Sequence, residues 1–406
     1  LPACAFRTQT GELGGEMFRR RVPRLRLIIL ALVLLAQVYL FVRMRRAILS
    51  SSRSDRFKSR AIGLVGAAIG LLFALNAYLV FTYIPWVYPP LAAQIGLFYP
   101  VAAWNFGSLF SALFLFLTRV MGRLWRMVGR TAHAPVNPGR RRFLQSGVGG
   151  LAAVPILLSG YGAAYASKTY DVEELTLPFG RSLRVVQLSD IHAGIYMNRE
   201  EMRRYADQVS ALRPDLFVLT GDFISNSMVF LPGCVEEMAR VRARYGTFAT
   251  LGNHEHRWGT VGEIPAIFRQ HRIPLLTNAH TVIRTEQGPF AVAGIDDLVA
   301  GQPDIEAALR GLDPAIPTLL LSHRPEIFPQ AAARRIPLTL SGHYHGGQVK
   351  LSLPGGDLSL AHLWTPYPVG LYRIDASHLY VSRGIGTTFT PVRLNAPPEV
   401  TLFHLT

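Results

Sequence analysis

Five short apolar runs each end in residues able to bind a cation or move a proton. LRVVQLS (183–189) is followed by Asp190-Ile191-His192, LFVLT (216–220) by Gly221-Asp222, and TFATL (247–251) by Gly252-Asn253-His254-Glu255. TLLLS (318–322) is followed by His323, and LTLS (338–341) by Gly342-His343-Tyr344-His345-Gly346-Gly347. The donors are carboxylate, amide and imidazole without thiolate, a set that suits borderline divalent ions such as Mn, Fe, Zn, Co or Ni. Asp-x-His puts two side chains on one face of an extended segment, so both reach one ion, and His-x-His does the same. A single carboxylate, Asp222, can bridge two ions, and the glycines beside the ligands allow sharp turns and close approach of substrate. One Asp-Ile-His or Gly-Asp after a strand reads as a turn, and GHYHGG alone as any metal-binding loop; the weight lies in the five endings together.

Strands must carry those endings. The runs above, with Phe290–Gly294, are short, apolar and closed by polar residues, as buried strands are. Helix-compatible segments lie between them at Arg199–Leu212, Val235–Arg244, Ile264–His271 and Ile305–Leu312. Gly370–Ile374 and Leu379–Ser382 read as further antiparallel strand. The pattern predicts an α/β sandwich of two sheets flanked by helices, with every ending at the C-terminal edge of a strand, where such folds gather their sites. Asp296 and Asp297 read as a strand terminus. His256, His271, His280, His362, His378 and His404 match no motif and read as surface or structural residues. Asn395 reads equally as a turn residue or as part of the site's rim.

The rest of the chain is of another kind. Residues 1–166 hold 20 Lys+Arg against 3 Asp+Glu and one histidine, His133, whereas residues 167–406 hold 22 against 23 and eleven histidines. All the positive excess is therefore N-terminal. It lies between apolar runs of bilayer length, about 20 residues, at Leu25–Val42, Ala61–Ile84 and Leu91–Val120, with a weaker Gly/Ala-rich fourth at Ser146–Ala166. A bilayer is the partner this implies, and a dedicated nucleic-acid partner is not. Domains of 1–166 and 167–406 follow. Seven positive residues between Arg43 and Arg60, none in Tyr83–Pro90 and seven between Arg119 and Arg142 put the first and third loops on the cytoplasmic side. The C-terminal domain is then extracytoplasmic, on the outer face of the cell (inner) membrane. Arg19, Arg20, Arg21, Arg24 and Arg26 ahead of the first span pull the other way, and a start at Met17 would not remove them. Arg140-Arg141-Arg142-Phe143-Leu144, an apolar stretch and Ala164-Tyr165-Ala166 resemble a twin-arginine export signal with a cleavage site, although such signals are N-terminal. The plain alternative is a charged flank of a membrane helix. Two cysteines, Cys4 and Cys234, exclude a disulfide scaffold and a four-cysteine zinc site, and each reads as a free thiol.

As a set, D-x-H, GD, GNH(E/D), H and GHxH resemble the signature of the calcineurin-like metallophosphoesterases, over residues from about 183 to 406. GHYHGGQVKL, GLYRID and YVSRGIGTTFTPVRLNAPPEVTL resemble the membrane-anchored branch of that superfamily. Glu255 stands where many members have Asp, and Tyr344 where many have Thr; neither position is a ligand in the family. The resemblance implies a four-layer α/β/β/α sandwich behind the transmembrane helices. It further implies two divalent ions, the first held by Asp190, His192, Asp222 and His345 and the second by Asp222, Asn253, His323 and His343. A metal-activated hydroxide would attack the phosphorus, and His254, tuned by Glu255, would contact phosphate or protonate the leaving oxygen. The implied activity is hydrolysis of a phosphodiester, pyrophosphate or phosphomonoester, on a membrane-associated or lipid-linked substrate. Alternatives are a UDP-2,3-diacylglucosamine-type pyrophosphate hydrolase of lipid A metabolism, which would need a cytoplasmic site, and an inactive metal-binding membrane protein, which the intact ligand set opposes. A transporter role is disfavoured by the lack of charge inside the spans.

Overall fold

The computed structural model describes residues 24–81, 91–128, 138–166, 168–259, 262–354, 356–388 and 390–406. Cys4, Met17, Arg19, Arg20, Arg21, His133 and the Tyr83–Pro90 loop lie outside the described residues. Two compact units are formed, one from Leu1–Ile84 with Trp104–Ile156 and one from Pro85–Ala103 with Leu157–Thr406.

The first unit is helical: α1 (Arg24–Leu49), α2 (Asp55–Phe81), and the larger parts of α3 (Tyr99–Val128) and α4 (Pro138–Tyr161). Ala36, Leu40, Ala112, Leu115 and Ala152 form its small core, and Gln37 donates to Asn105 Oδ1 at 3.2 Å. Its outward face is apolar, with Leu35, Leu64, Leu71 and Trp125 exposed. Four helical stretches are long and apolar enough to cross a membrane: Leu27–Leu49, Asp55–Leu79, Gln94–Trp125 and Ser146–Ala166. These are the four expected runs, the fourth with the expected ends and the first three with shifted ones. Helix α1 runs on through Arg43, Arg45 and Arg46 because arginine is a good helix former, whatever its polarity.

In the second unit two sheets lie face to face. One has the order β1 (Asp171–Leu177), β13 (Glu399–Leu405), β2 (Leu183–Leu188), β3 (Leu216–Thr220), β4 (Thr247–Thr250). The other runs β11 (Gly370–Ile374), β12 (Ser377–Val381), β8 (Leu338–Ser341), β7 (Thr318–Leu321), β6 (Gly288–Gly294), β5 (Ala279–Thr285). Within them β2, β3 and β4 are mutually parallel, as are β6, β7, β8 and β12, so the chemically loaded strand ends of each sheet share an edge.

Period-two alternation separates the layers. Val185, Leu216 and Val218 face the inter-sheet core with Phe290, Val292, Leu319, Leu321, Leu338 and Leu340, while Val186, Leu188, Phe217 and Leu219 face helices on the other side. Those helices are α5 (Arg199–Ala211), α6 (Leu231–Met238), α7 (Asn253–Trp258) and α8 (Ile264–Gln270); α9 (Ile305–Leu309) and α10 (Phe328–Ala333) cover the second sheet through Ile305, Ala308 and Ala331. This is the α/β/β/α sandwich that the resemblance implies. Helix α5 starts at a capping box in which Asn198 Oδ1 accepts from Glu201 N and Glu201 accepts from Asn198 N. Helix α6 lies earlier than the expected Val235–Arg244, because Pro232 sits in its first turn, where a missing N–H costs nothing. Cys234 is a buried free thiol inside α6.

Candidate metal centre

All five expected endings meet at one edge of the paired sheets. The backbone there is turned abruptly: Asp190, His192, Asp222, His343 and His345 all have left-handed φ, between 50° and 75°. Such a conformation costs a side-chain-bearing residue about 1–2 kcal/mol. It is held by ladder bonds that continue past the strands, His192 N to Asp222 O at 2.9 Å and Asp190 N to Gly221 O at 3.1 Å. Gly221 takes φ 82°, and a Cβ there would lie 2.7 Å from Gly252 N and 2.8 Å from His323 Nδ1. Gly221→Ala is therefore expected to lower stability by about 2–4 kcal/mol through strain and overpacking. Thermal unfolding measures it, and a wild-type melting temperature would refute this account of the turn.

Asp222 is central. Its Oδ2 lies 3.2 Å from His323 Nε2, 3.6 Å from His192 Nε2 and 3.9 Å from His254 Nε2, while its Oδ1 accepts from His254 N at 2.9 Å. On one side, His345 Nε2 is 3.3 Å from Asp190 Oδ1 and 3.0 Å from His192 Nε2. On the other, His343 Nδ1 is 3.2 Å from His323 Nε2. Asp190 also accepts from His343 N, linking the β2 and β8 loops. Three groups result whose donor atoms lie within 4.8 Å of one another: Asp190, His192, His345; His192, Asp222, His254; and Asp222, His323, His343.

The protonation pattern tests whether these residues suit a cation. His323 Nδ1 faces the Thr220 carbonyl at 2.8 Å, so it must carry the ring's hydrogen. Its Nε2 lone pair then points at the Asp222 carboxylate, two acceptors that need a proton or a metal ion between them. Burial works against a charge on His323, yet Asp222 and Asp190 outweigh it and push the imidazole up to about 10. Burial opposes ionisation of Asp222 too, but His323, His254 and His192 hold it well below the usual carboxylate range. His192 goes the other way, pushed down to about 3 by burial and the neighbouring His254, and burial with His323 takes His343 down to about 2. Neutral imidazoles beside buried carboxylates are metal-ligand chemistry, and the donor set fits divalent cations.

Glu255 has a different setting. Its buried carboxylate accepts from Asp222 N and Gly252 N, each at 2.9 Å, from Phe223 N at 2.8 Å and from Ile224 N at 3.2 Å. Burial and the Asp222 charge push it up to about 8, against the pull of its backbone donors. It thus clamps the Asp222 loop. His254 donates through Nδ1 to Ser225 O at 2.6 Å, which leaves Nε2 as the ring's free nitrogen. Asn253 opens α7, and its Oδ1 accepts from Arg324 at 3.3 Å.

Arg324, next to His323, is a residue that motif reading passed over. It donates to His343 Nε2 at 2.7 Å and pairs with Asp297 at 3.0 Å. Its adjacency to His323, a candidate ligand, was the available signal. Thr388 Oγ1 lies 2.8 Å from His345 Nε2, and Arg393, fully buried, donates to the carbonyls of Arg383, Gly384 and Ala396 behind that histidine. Both lie in the stretch YVSRGIGTTFTPVRLNAPPEVTL, whose resemblance to the membrane-anchored branch was the available signal. Asp296 accepts from Asp297 N and Gln302 N and pairs with His256, so it closes a loop after β6. His280 bonds the Ala308 carbonyl, and His404 pairs with Glu174. Asn395 donates to Lys350 O from a left-handed turn.

The calcineurin-like phosphoesterase family matches residues 183–347 of this chain. The Bacillus subtilis protein named uncharacterized metallophosphoesterase YkuE is 29% identical over 279 residues, 66% of this chain and 97% of that protein. The Danio rerio transmembrane protein with metallophosphoesterase domain is 30% identical over 309 residues, 71% of this chain and 69% of its own length. The Escherichia coli phosphodiesterase YaeI is 30% identical over 285 residues, 66% of this chain and 98% of that protein. With the strand ends that gather these carboxylates and histidines inside the matched region, these likenesses establish that the chain belongs to the calcineurin-like metallophosphoesterase family.

Proposed function

We propose that the protein is a membrane-anchored hydrolase of phosphoesters that uses two divalent cations, one held by Asp190, His192, Asp222 and His345 and one by Asp222, Asn253, His323 and His343. The observation that carries this reading is the Asp222 carboxylate, flanked by His192 at 3.6 Å and His323 at 3.2 Å. When bound, such cations polarise phosphoryl oxygens and lower the pKa of coordinated water. The chain's own residues do the rest. His254, its tautomer set by Ser225 O, offers Nε2 to a phosphate oxygen or the leaving group. Glu255 holds the backbone of the Asp222 turn, so its role is positioning. Arg324 orients His343 and Asn253.

A diester is the favoured substrate class, supported by the name of the Escherichia coli relative. A lipid-linked phosphoester fits a tethered enzyme, because anchoring raises the effective concentration of membrane substrates. The arginine-rich loops support an extracytoplasmic catalytic domain. The test is hydrolysis of bis-p-nitrophenyl phosphate and p-nitrophenyl phosphate by the full chain in detergent micelles. Turnover is expected with Mn²⁺, higher for the diester, and abolished by EDTA. A folded chain that binds Mn²⁺, Zn²⁺ or Co²⁺ and turns over neither probe nor a lipid pyrophosphate would remove the hydrolase reading.

A further inference from the structure

Five residues beyond His345, the chain forms a hairpin of β9 (Lys350–Leu353) and β10 (Gly356–Ser359), then a 3₁₀ turn, Leu360–Leu363. The register opposes Leu351 to Leu358, Ser352 to Asp357 and Lys350 to Ser359. Alternation therefore gives the hairpin one leucine face, with Leu351, Leu353 and Leu358, and one polar face. On the polar face Lys350 donates to Asp357 at 2.7 Å and Ser352 to Asp357 at 2.8 Å, so its two charges cancel. Leu351, Leu353, Leu358, Leu360, Leu363 and Trp364 are each between 49% and 74% exposed. A water-facing surface does not ordinarily gather six large apolar side chains over residues 351–364.

The root of the hairpin is tied to the end of an apolar helix. Lys350 N donates to Leu394 O at 2.9 Å, and Leu394 N to Gln348 O at 2.8 Å. Residues 392–394 in turn receive the π-helical turn Gly162–Ala166, the end of the apolar stretch Ser146–Ala166. A Cβ on Gly162 would lie 2.8 Å from Val392 Cγ1, 2.9 Å from Arg393 O and 3.2 Å from Leu394 Cδ2, and Arg393 N donates to Gly162 O at 3.4 Å. One short segment thus joins the end of a membrane-length apolar helix to the base of the leucine hairpin.

We propose that the leucine face of the β9–β10 hairpin, with Leu360, Leu363 and Trp364, enters the boundary between headgroups and acyl chains of a phospholipid bilayer. An amphipathic element with a tryptophan at its edge suits that boundary, where one side of the structure is apolar and the other wet. The loop carrying His343 and His345 is then held at the lipid surface, where a phosphoester in a headgroup lies. The inference goes beyond hydrolysis and does not depend on turnover.

Power-saturation electron paramagnetic resonance on the full chain in phosphatidylcholine–phosphatidylglycerol vesicles tests it. Nitroxides are placed singly at Leu353→Cys, Leu363→Cys and Glu286→Cys, with Cys4 and Cys234 replaced by alanine; Glu286, its side chain 91% exposed, lies on the β5–β6 turn away from the hairpin. Circular dichroism melting confirms that each labelled chain is folded. Oxygen accessibility is expected to exceed that of a water-soluble nickel complex several-fold at positions 353 and 363, and to fall below it at 286. Nickel-dominated relaxation at all three positions would overturn the proposal. So would dipolar broadening at 353 and 363 that vanishes on dilution with unlabelled chain, which would assign the face to a second copy of the protein.

Discussion

Asp222→Asn is expected to lower metal-dependent phosphoester turnover by about a thousandfold while the domain stays folded. The substitution keeps shape: an asparagine Oδ1 still accepts from His254 N, where the carboxylate accepts at 2.9 Å, and its Nδ2 can donate to the lone pair of His323 Nε2. What goes is the negative charge beside His192 and His323. Several kcal/mol of transition-state stabilisation depend on bound cations, and every 1.36 kcal/mol is tenfold in rate, so a loss near three powers of ten follows. Without that carboxylate His323 also loses the main group that sustains its proton, since burial alone lowers it. The measurements are kcat/KM for the diester probe, metal content per chain and melting temperature. A variant within tenfold of wild type at unchanged metal content would exclude Asp222 from the reaction.

Glu255→Ala should be the most destabilising single change at the site, costing about 3–5 kcal/mol. The side chain is buried and its two oxygens take four backbone N–H groups, from Asp222, Gly252, Phe223 and Ile224. Each buried N–H left without its acceptor costs about 1–3 kcal/mol, but water admitted to the vacated space recovers part of the sum. For a domain of this size the loss corresponds to a fall in melting temperature on the order of 10 °C. Metal affinity should drop with it, because the Asp222 turn loses its clamp. Glu255→Gln separates the charge from the shape: one oxygen still accepts, while the new NH₂ faces backbone donors, so an intermediate loss is expected. Melting of the alanine variant with wild type, at wild-type metal affinity, would show that the four bonds are not what holds the turn.

The two changes also explain why position 255 can be read in two ways from a motif. Adjacent to His254 in the chain, Glu255 invites a role in tuning that histidine. In three dimensions its carboxylate turns away, onto the loop after β3, and it is the Ser225 carbonyl that fixes the His254 ring.

Much of the frame was legible because it is written in local patterns. Buried parallel strands must be short apolar runs, so β3 and β8 were readable to the residue and β2, β4 and β7 to within one. The candidate ligands were legible for the same reason: a strand end is fixed by its run, and Asp, Asn and His just beyond it are gathered at one buried edge. The membrane-length helices announced themselves by uninterrupted apolarity, since nothing but length and composition is needed to suit a bilayer. Strands β1 and β13 escaped notice. DVEELTL is a half-exposed edge strand rich in acids, and its pairing with β13 brings together residues more than two hundred positions apart. Hairpin β9–β10 escaped because its leucines point outward, the reverse of the pattern by which strands are found.

Sequence alone marked the candidate donors, the strands that bear them and the long apolar helices, because each depends on composition and period within one segment. Only the tertiary structure decided that Arg324 bonds His343, that Glu255 clamps a loop, that Thr388 meets His345 at Nε2 and Arg393 at Nδ1, and that a leucine hairpin shares its root with the end of an apolar helix. Those relations join distant segments through hydrogen bonds and packing, and no local periodicity encodes which distant partner a buried polar group will find.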